Sequence, residues 1–465
     1  YVYDLAVVRA RAQQVRAAIT WQPFQPLYAI KANPCPAVAA AIVGEGYGID
    51  AVSPGEVALA LRLGVRPDLV LYTENNMTDA EQALAIGQGV LVNCGSLDRL
   101  ERLARAGARQ ACVRFNPEFG DGAHEKICTA GPLTKFGVHQ SLLGDVRRIE
   151  RETGIQVVGC HMHIGSGFLD ATAFTKSCEV IFAIAAQLPH LKFVDVGGGI
   201  GIPYREGQAP LDLPAMGAAL STSFAEFCRA YGRPLELRVE PGRFLVAESG
   251  TLFTTVTSVK ANPDGRVFVG CDTGFNHLVR VAMYDAYHRI SNVTRPHAPL
   301  QIVDVVGNIC ESGDVFARQR ALPAPQLGDI LALHDAGAYG MAMASTYNTR
   351  PLPAEVAIDG RGYRTGRLAA ALGLHAVPEK GVVPDLGSLV EDPAVAGFDQ
   401  RFETRVSRVR LQLVELDDVR VVVLAVVELN IFLGVVRLKR IGGVGERRER
   451  DGHGGVSVVG VQIIC

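Results

Sequence analysis

The stretch IDAVSPGEVALALRLGVRPDLVLY, Ile49–Tyr72, decides the fold. A short run, IDAV, is followed by a turn, then by PGEVALALRLG with its apolar residues at helical period, then by a second apolar run, LVLY. Two parallel strands can pair only across a helix-length connection, so this order reads as a β-α-β crossover. The same grammar extends outward in both directions, from Leu27 to Glu240. The runs are LYAI (Leu27), IDAV (Ile49), LVLY (Leu69), VLVN (Val90), ACVRF (Ala111), VVGCHMHI (Val157), KFVDV (Lys192) and LELRVE (Leu235). Eight such units is the number that closes a (β/α)₈ barrel. A doubly wound open sheet is the structural alternative on pattern alone.

Residues 21–245 are therefore expected to form a TIM-like barrel, giving a fold class of α/β plus β. Ahead of it, YVYDLAVVRARAQQVRAAI (1–19) reads as a strand running into a helix, not a signal peptide, and residues 1–20 are assigned to the β domain and the barrel edge. The chain opens at Tyr1 rather than Met, so the natural start is expected upstream. After Phe244 the texture changes to alternating Thr/Val-rich runs such as TLFTTVTSVKA, RVFVGCD and DILALHD, which predict an antiparallel β domain over 246–365. Residues 366–465 are Val-rich and broken by Arg-rich runs such as GERRERDGHGG, without strand-and-turn grammar, and receive no function.

Of the 465 residues, 48% are hydrophobic and 20% charged, with a net charge of −2, which is the composition of an ordinary globular chain. With no long Lys/Arg run there is no electrostatic footprint for nucleic acid or an anionic membrane. The Val421–Val436 segment is interrupted by Glu428 and Asn430, so no membrane span is expected. The ten Cys are scattered without CxxC pairs, and reduced, cytoplasmic thiols are expected.

Active groups of such barrels gather at the C-terminal ends of the strands, and here those ends are chemically dense. The first strand ends in Lys31, the second carries Asp50 and Glu56, and the sixth ends in His161, His163 and Ser166. The seventh ends in Gly197, Gly198 and Gly199, and the eighth in Glu240, Gly242 and Arg243. For a lone lysine the ordinary role is a salt bridge at the barrel mouth. The functional reading of Lys31 is a Schiff-base lysine whose amine is favoured because partial burial lowers its pKa. Such a lysine needs a carbonyl cofactor, and pyridoxal phosphate needs a phosphate cradle, which GGG and GSG can supply, and a carboxylate at the pyridine nitrogen, for which Glu240 is placed. His161 and His163 face one way and could pair on a metal, but no third ligand of clear spacing accompanies them, so no metal is expected. GGGIGIPY does not complete a dinucleotide fingerprint. In the β domain, Cys310 beside Glu311 and the Asp335, Gly337, Tyr339 turn could each be plain structure.

Taken together, the motifs YAIKANP, IDAVSPGE, RFNPEFGDGAHEKICTAGPLTKFGVH, HMHIGSG, VDVGGGIGIPY, EPGRFL, GFNHLVRVAMYDAYH, GNICESGD and DAGAYGMAMASTYNTRP resemble the fold-type III pyridoxal-phosphate enzymes, most closely the diaminopimelate decarboxylase family, over Tyr1 to about Tyr363. The resemblance implies that Lys31 carries the cofactor, with Asp50 in the cofactor site, and that His163 stacks on its ring. Ser166, Gly198, Gly199, the backbone around Gly242 and the Tyr339 hydroxyl would hold the phosphate, and Glu240 would meet the pyridine nitrogen. Arg243, Arg280 and Tyr284 would clamp the distal carboxylate of meso-diaminopimelate, with Tyr339 also at the substrate. Glu311 would take the distal amine and Cys310 would supply the proton that replaces CO₂. Both would come from the partner subunit, which makes a homodimer with shared sites.

The activity implied is decarboxylation of meso-diaminopimelate at its D-centre to L-lysine, the last step of lysine synthesis. The alternatives are a decarboxylase of ornithine, arginine or lysine, disfavoured because the clamp would leave its positive charge uncompensated, and a non-catalytic relative that binds pyridoxal phosphate. The family also includes chains with an aspartokinase fused ahead of the barrel. Two departures stand out: Val281 replaces the usual Pro after the clamp arginine, and residues 366–465 replace the family's last segment, as a frameshifted reading frame would.

Overall fold

The computed structural model describes residues 1–118, 120, 124, 129–131 and 134–360, together with the backbone of the strands Tyr363–Arg367, Arg405–Leu416 and Val419–Asn430. In chain order the strands are β1 (Val2–Asp4), β2 (Phe24–Ala29), β3 (Gly48–Ala51), β4 (Val70–Thr73), β5 (Leu91–Cys94), β6 (Gln110–Asn116), β7 (Val138–His139), β8 (Gln156–His161), β9 (Phe193–Asp195) and β10 (Glu236–Val239). They continue as β11 (Gly250–Ala261), β12 (Val267–Cys271), β13 (Ile290–Asn292), β14 (Leu300–Val306), β15 (Val315–Pro323), β16 (Ile330–Leu333), β17 (Glu355–Ile358), β18 (Tyr363–Arg367), β19 (Arg405–Leu416) and β20 (Val419–Asn430). The helices include α1 (Leu5–Ala18), which leads into the first barrel strand, and α2 (Pro36–Gly44), α3 (Pro54–Arg62) and α4 (Asp79–Gly87) between the barrel strands.

All the pairings among β2 to β6 and β8 to β10 are parallel, in the order β5-β4-β3-β2-β10-β9-β8-β6, and a β5–β6 pairing closes the ring. The barrel expected from Ile49–Tyr72 and its neighbours is present. Local chemistry starts its helices: Ser53 caps α3 ahead of Pro54, and Thr78 and Glu81 form a reciprocal capping box on α4. Inside the barrel, Leu27, Leu71, Cys112 and Phe193 make one buried cluster. They come from β2, β4, β6 and β9, alternate strands of the ring, as expected of a side-chain layer in a closed barrel. Two of the strands between them make room with glycine. A Cβ on Gly48 of β3 would lie 2.6 Å from Leu27 Cδ2, and one on Gly159 of β8 would lie 2.2 Å from Phe193 Cζ.

The second sheet is mixed rather than purely antiparallel. β11 pairs antiparallel with β12 and β16, and β14 with β15, but β1 runs parallel to β17 and β12 parallel to β14. Parallel pairing of β1 with β17 is possible because the whole barrel serves as the crossover between them. Alternation within each strand does not reveal such long-range pairing, which is why the sequence reads as uniformly antiparallel. Tyr1–Arg367 forms one compact unit. In the remainder, β19 and β20 form an antiparallel hairpin, strand structure where none was expected. The rest of the 366–465 tail lies outside the described residues. Among the described residues no helix is long and apolar enough to cross a membrane.

Candidate active site

The mouth of the barrel gathers most of the residues singled out in the sequence. One cavity there is lined by Ala29, Lys31, His163, Ser166, Gly199, Glu240, Gly242, Arg243 and Tyr339. Lys31 sits in a 3₁₀ turn, Ile30–Ala32, directly after β2. Register places Ala29 opposite Asp50 on β3, and the half-buried Lys31 ammonium donates to the fully buried Asp50 carboxylate. Burial alone pulls the Lys31 pKa down, but Asp50, Glu240 and Tyr339 together outweigh it and raise the value above that of an ordinary lysine. The expectation of an amine pKa lowered by burial is thus corrected: with Asp50 as partner, Lys31 holds its proton.

Glu240, just after β10, is buried, and its Oε2 accepts a hydrogen bond from Nε2 of the buried His161, 3.1 Å away. Burial acts to raise the Glu240 pKa, but His161, Lys31 and His163 pull it down to about 2. Asp195 lies close enough that His161, Asp195 and Glu240 each bring a ligand atom within 4.8 Å of the others. His161 therefore does have carboxylate company, contrary to the sequence reading, whereas His163 does not share it. Burial, then the neighbouring Glu240 charge, keeps the Asp195 pKa far above that of an exposed Asp.

His163 instead lines the cavity, and its Nδ1 accepts from the Gly198 N–H at 3.2 Å. Burial, followed by Arg114 and Lys31, depresses its pKa, so the ring is neutral and free to lie flat against an aromatic ligand. The Gly198 N–H is thereby committed to His163. The glycines themselves are required by close approach: a Cβ on Gly198 would fall 1.9 Å from the Glu240 carbonyl oxygen, and one on Gly199, with φ +104°, would fall 2.3 Å from Gly165 O. Tyr339 is brought to the rim by backbone docking of its loop: its N–H donates to Ala32 O at 2.8 Å, and Asn33 Nδ2 donates to Gly337 O at 2.8 Å.

Arg243 is buried, with Nε and Nη2 donating to Ser166 Oγ at 3.2 and 2.9 Å and Nη1 donating to Tyr204 O–H at 3.2 Å. Arg280, also buried, stacks on Tyr204 at 4.5 Å. Tyr284 packs against His124, with ring centroids 5.9 Å apart. Cys310 and Glu311 are exposed and do not line the cavity of their own chain. Two residues without a role in the sequence reading hold them. Asn348 accepts from the Cys310 N–H at 3.0 Å and donates to its Sγ at 3.2 Å, and the Tyr347 hydroxyl donates to Glu311 at 2.7 Å. The motif ASTYN was visible in the sequence, but nothing in it indicated the fold-back onto Cys310.

Pyridoxal phosphate can be tested against this arrangement. Glu240 Oε1 is buried and, among the described residues, lacks a hydrogen-bond partner, so it is ready for a ring N–H. The Gly199 and Gly242 backbones and the Ser166 hydroxyl line the same cavity as Lys31, as a phosphate requires. The residues fit the group.

A parallel barrel with this mouth defines the class of the pyridoxal-dependent decarboxylases, and residues 5–247 match the family model described as "Pyridoxal-dependent decarboxylase, pyridoxal binding domain". The diaminopimelate decarboxylase of Methanothermobacter thermautotrophicus is 41% identical over 370 residues, 77% of this chain and 86% of that one. That of Escherichia coli K12 is 38% identical over 333 residues, 68% and 79% of the two chains. The crystal structure of diaminopimelate decarboxylase from Helicobacter pylori complexed with L-lysine matches with a TM-score of 0.74 and 30% identity, over 79% of this chain and 93% of that one. The chain belongs to the diaminopimelate decarboxylase family.

Proposed function

We propose that the protein decarboxylates meso-2,6-diaminopimelate at its D-centre, releasing CO₂ and L-lysine, with pyridoxal 5'-phosphate held at the barrel mouth. The observation that carries the reading is the convergence on one cavity of the Lys31 amine, the buried Arg243 and Glu240 Oε1, which has no hydrogen-bond partner among the described residues. Lys31 would be the covalent anchor, and Asp50 would orient its Nζ. Ser166, Gly199 and the backbone at Gly242 would hold the phosphate, joined by the Tyr339 hydroxyl, while Gly198 would act through His163, whose ring would cover the cofactor face. Bound there, the cofactor supplies the sink for the electron pair left when the carboxylate departs.

Everything else falls to side chains of this chain. Glu240, kept ionised by His161, would hold a proton on the pyridine nitrogen. Arg243, Arg280 and Tyr284 would bind the distal carboxylate, for which planar guanidinium forks are suited. Cys310 Sγ would return a proton to the carbon that lost CO₂, and Glu311 would take the distal amine. Because Cys310 and Glu311 lie exposed and away from their own cavity, these two roles call for a second copy of the chain, and a cytoplasmic homodimer is the assembly proposed.

The test is CO₂ release from meso-diaminopimelate measured beside ornithine, arginine and lysine, with Lys31→Ala as control. Activity on meso-diaminopimelate alone is expected, together with a near-visible cofactor absorption band that Lys31→Ala removes. Cofactor binding without CO₂ release from that substrate would sink the reading.

A further inference from the structure

Arg243 and Arg280 present a problem of charge. Both guanidinium groups are buried, yet among the described residues no carboxylate forms an ion pair with either. An unpaired buried cation is costly, so such sites persist where an anion is to be received. What the two arginines do touch is neutral. Arg280 Nη1 donates to His288 Nε2 at 2.9 Å, and its guanidinium lies 4.5 Å from the centre of the Tyr204 ring. Arg243 gives Nη1 to the Tyr204 hydroxyl at 3.2 Å and its other donors to Ser166. The Tyr204 ring meets His288 edge-on, with centroids 5.7 Å apart.

The tautomer of His288 follows from its partners. Nδ1 lies 2.8 Å from the His334 carbonyl oxygen, which can only accept, so Nδ1 carries the proton. Nε2 then presents a lone pair, which the Arg280 N–H requires. Burial first, and then the charges of Arg280, Arg243 and Arg320, push the His288 pKa down to about 3, so the ring stays neutral. His288 is fully buried and fixed from both sides.

We infer that His288 and Tyr204 are positioning residues that aim Arg280 and Arg243 at the substrate's distal carboxylate without neutralising them, and so set the preference for an amino acid that bears a second carboxylate. This rests on the proposed role of the two arginines as the carboxylate clamp. Each of the two positioning residues closes a motif, VDVGGGIGIPY and GFNHLVRVAMYDAYH, in which no role falls to it. A carboxylate in their place would hold the arginines equally well but would cancel the charge that the substrate must find. Neutral acceptors orient a cation and leave its field intact, as preorganised recognition of an anion requires.

The test uses the full-length, cofactor-loaded enzyme and three ligands: meso-diaminopimelate as substrate, L-lysine, which carries the carboxylate, and cadaverine, which lacks it. Losing the acceptor of a charge-assisted hydrogen bond should cost roughly tenfold or more in binding. His288→Leu is therefore expected to raise KM for meso-diaminopimelate and weaken L-lysine binding by about that factor, with kcat changed much less and cadaverine binding unaffected. His288→Gln, which restores an acceptor toward Arg280, should recover most of the loss. Tyr204→Phe, which keeps the stacked ring but removes the acceptor for Arg243, should weaken L-lysine selectively and decides the matter should His288→Leu not fold. Equal weakening of L-lysine and cadaverine, unchanged L-lysine binding, or a fall in kcat alone would each overturn the inference. L-lysine binding is read by titration calorimetry without turnover, so a wild-type enzyme that releases no CO₂ from meso-diaminopimelate would count against the functional reading and not against this one.

Discussion

At the scale of single residues, the chemistry turns on which buried charges have partners. Glu240 spends Oε2 on His161 and, among the described residues, keeps Oε1 unpaired, while Lys31 is held by Asp50. On the proposed role of Glu240, removing its charge would leave the shape and take away the stabilisation of a protonated ring nitrogen. Glu240→Gln is thus expected to lower kcat for CO₂ release by about a hundredfold or more, the usual cost of deleting one preorganised electrostatic contact, while the cofactor absorption band persists. A rate within a few-fold of wild type would refute the assignment of Glu240. Lys31, Glu240 and His163 were legible in the sequence because each follows an apolar strand at the barrel mouth. The raised pKa of Lys31 was not, since Asp50 becomes its neighbour only through the β2–β3 register. His288 and Asn348 were likewise hidden, because their roles depend on side chains meeting across turns that periodicity does not describe.

At the scale of elements, the barrel is specified by volume exchange between neighbouring strands. Phe193 fills the lumen because Gly159 leaves room beside it, and a methyl at Gly159 would also come within 2.8 Å of Cys112 Sγ. Gly159→Ala is expected to destabilise the protein by about 1–3 kcal/mol, the usual cost of overpacking a filled core. Phe193→Leu in the same chain should return part of that loss, so the double variant unfolds at a higher denaturant concentration than additivity allows. Strict additivity would show that the two sites do not compete for space. The existence and type of these elements could be read from period and turn chemistry. The parallel pairing of β12 with β14 could not, because strand alternation reports which face is buried and not which neighbour is taken.

At the scale of the whole molecule, stability against pH is set by groups pulling in opposite directions. Burial, and then Arg289, depress the His334 pKa from 6.5 to about 4, so its contribution is complete above 6.5 and is lost as pH falls toward 4. Burial raises the Asp335 pKa from 3.8 to about 6, so its contribution is complete below 3.8 and is lost as pH rises through 6. Relative to wild type, His334→Gln should therefore gain stability on acidification from pH 6.5 to 4, and Asp335→Asn should lose it, each by roughly 2–3 kcal/mol in denaturant titrations. Parallel stability curves for wild type and either variant would contradict the corresponding shift. The presence of a barrel and of a second sheet was legible from the change in texture along the chain, but the mixed character of that sheet was not. Its order depends on β1, which is separated from its partner β17 by the entire barrel. Val2 lies opposite Val356. During synthesis at 5–20 residues per second, β1 must wait roughly 20 to 70 seconds for β17 to be made, while every strand of the barrel has already been translated. A ribosome-bound chain can thus complete its barrel early, but the Tyr339 side of the cavity and the β17 partner of β1 arrive only after most of the second sheet has been made, which leaves one edge of β1 unpaired in the meantime.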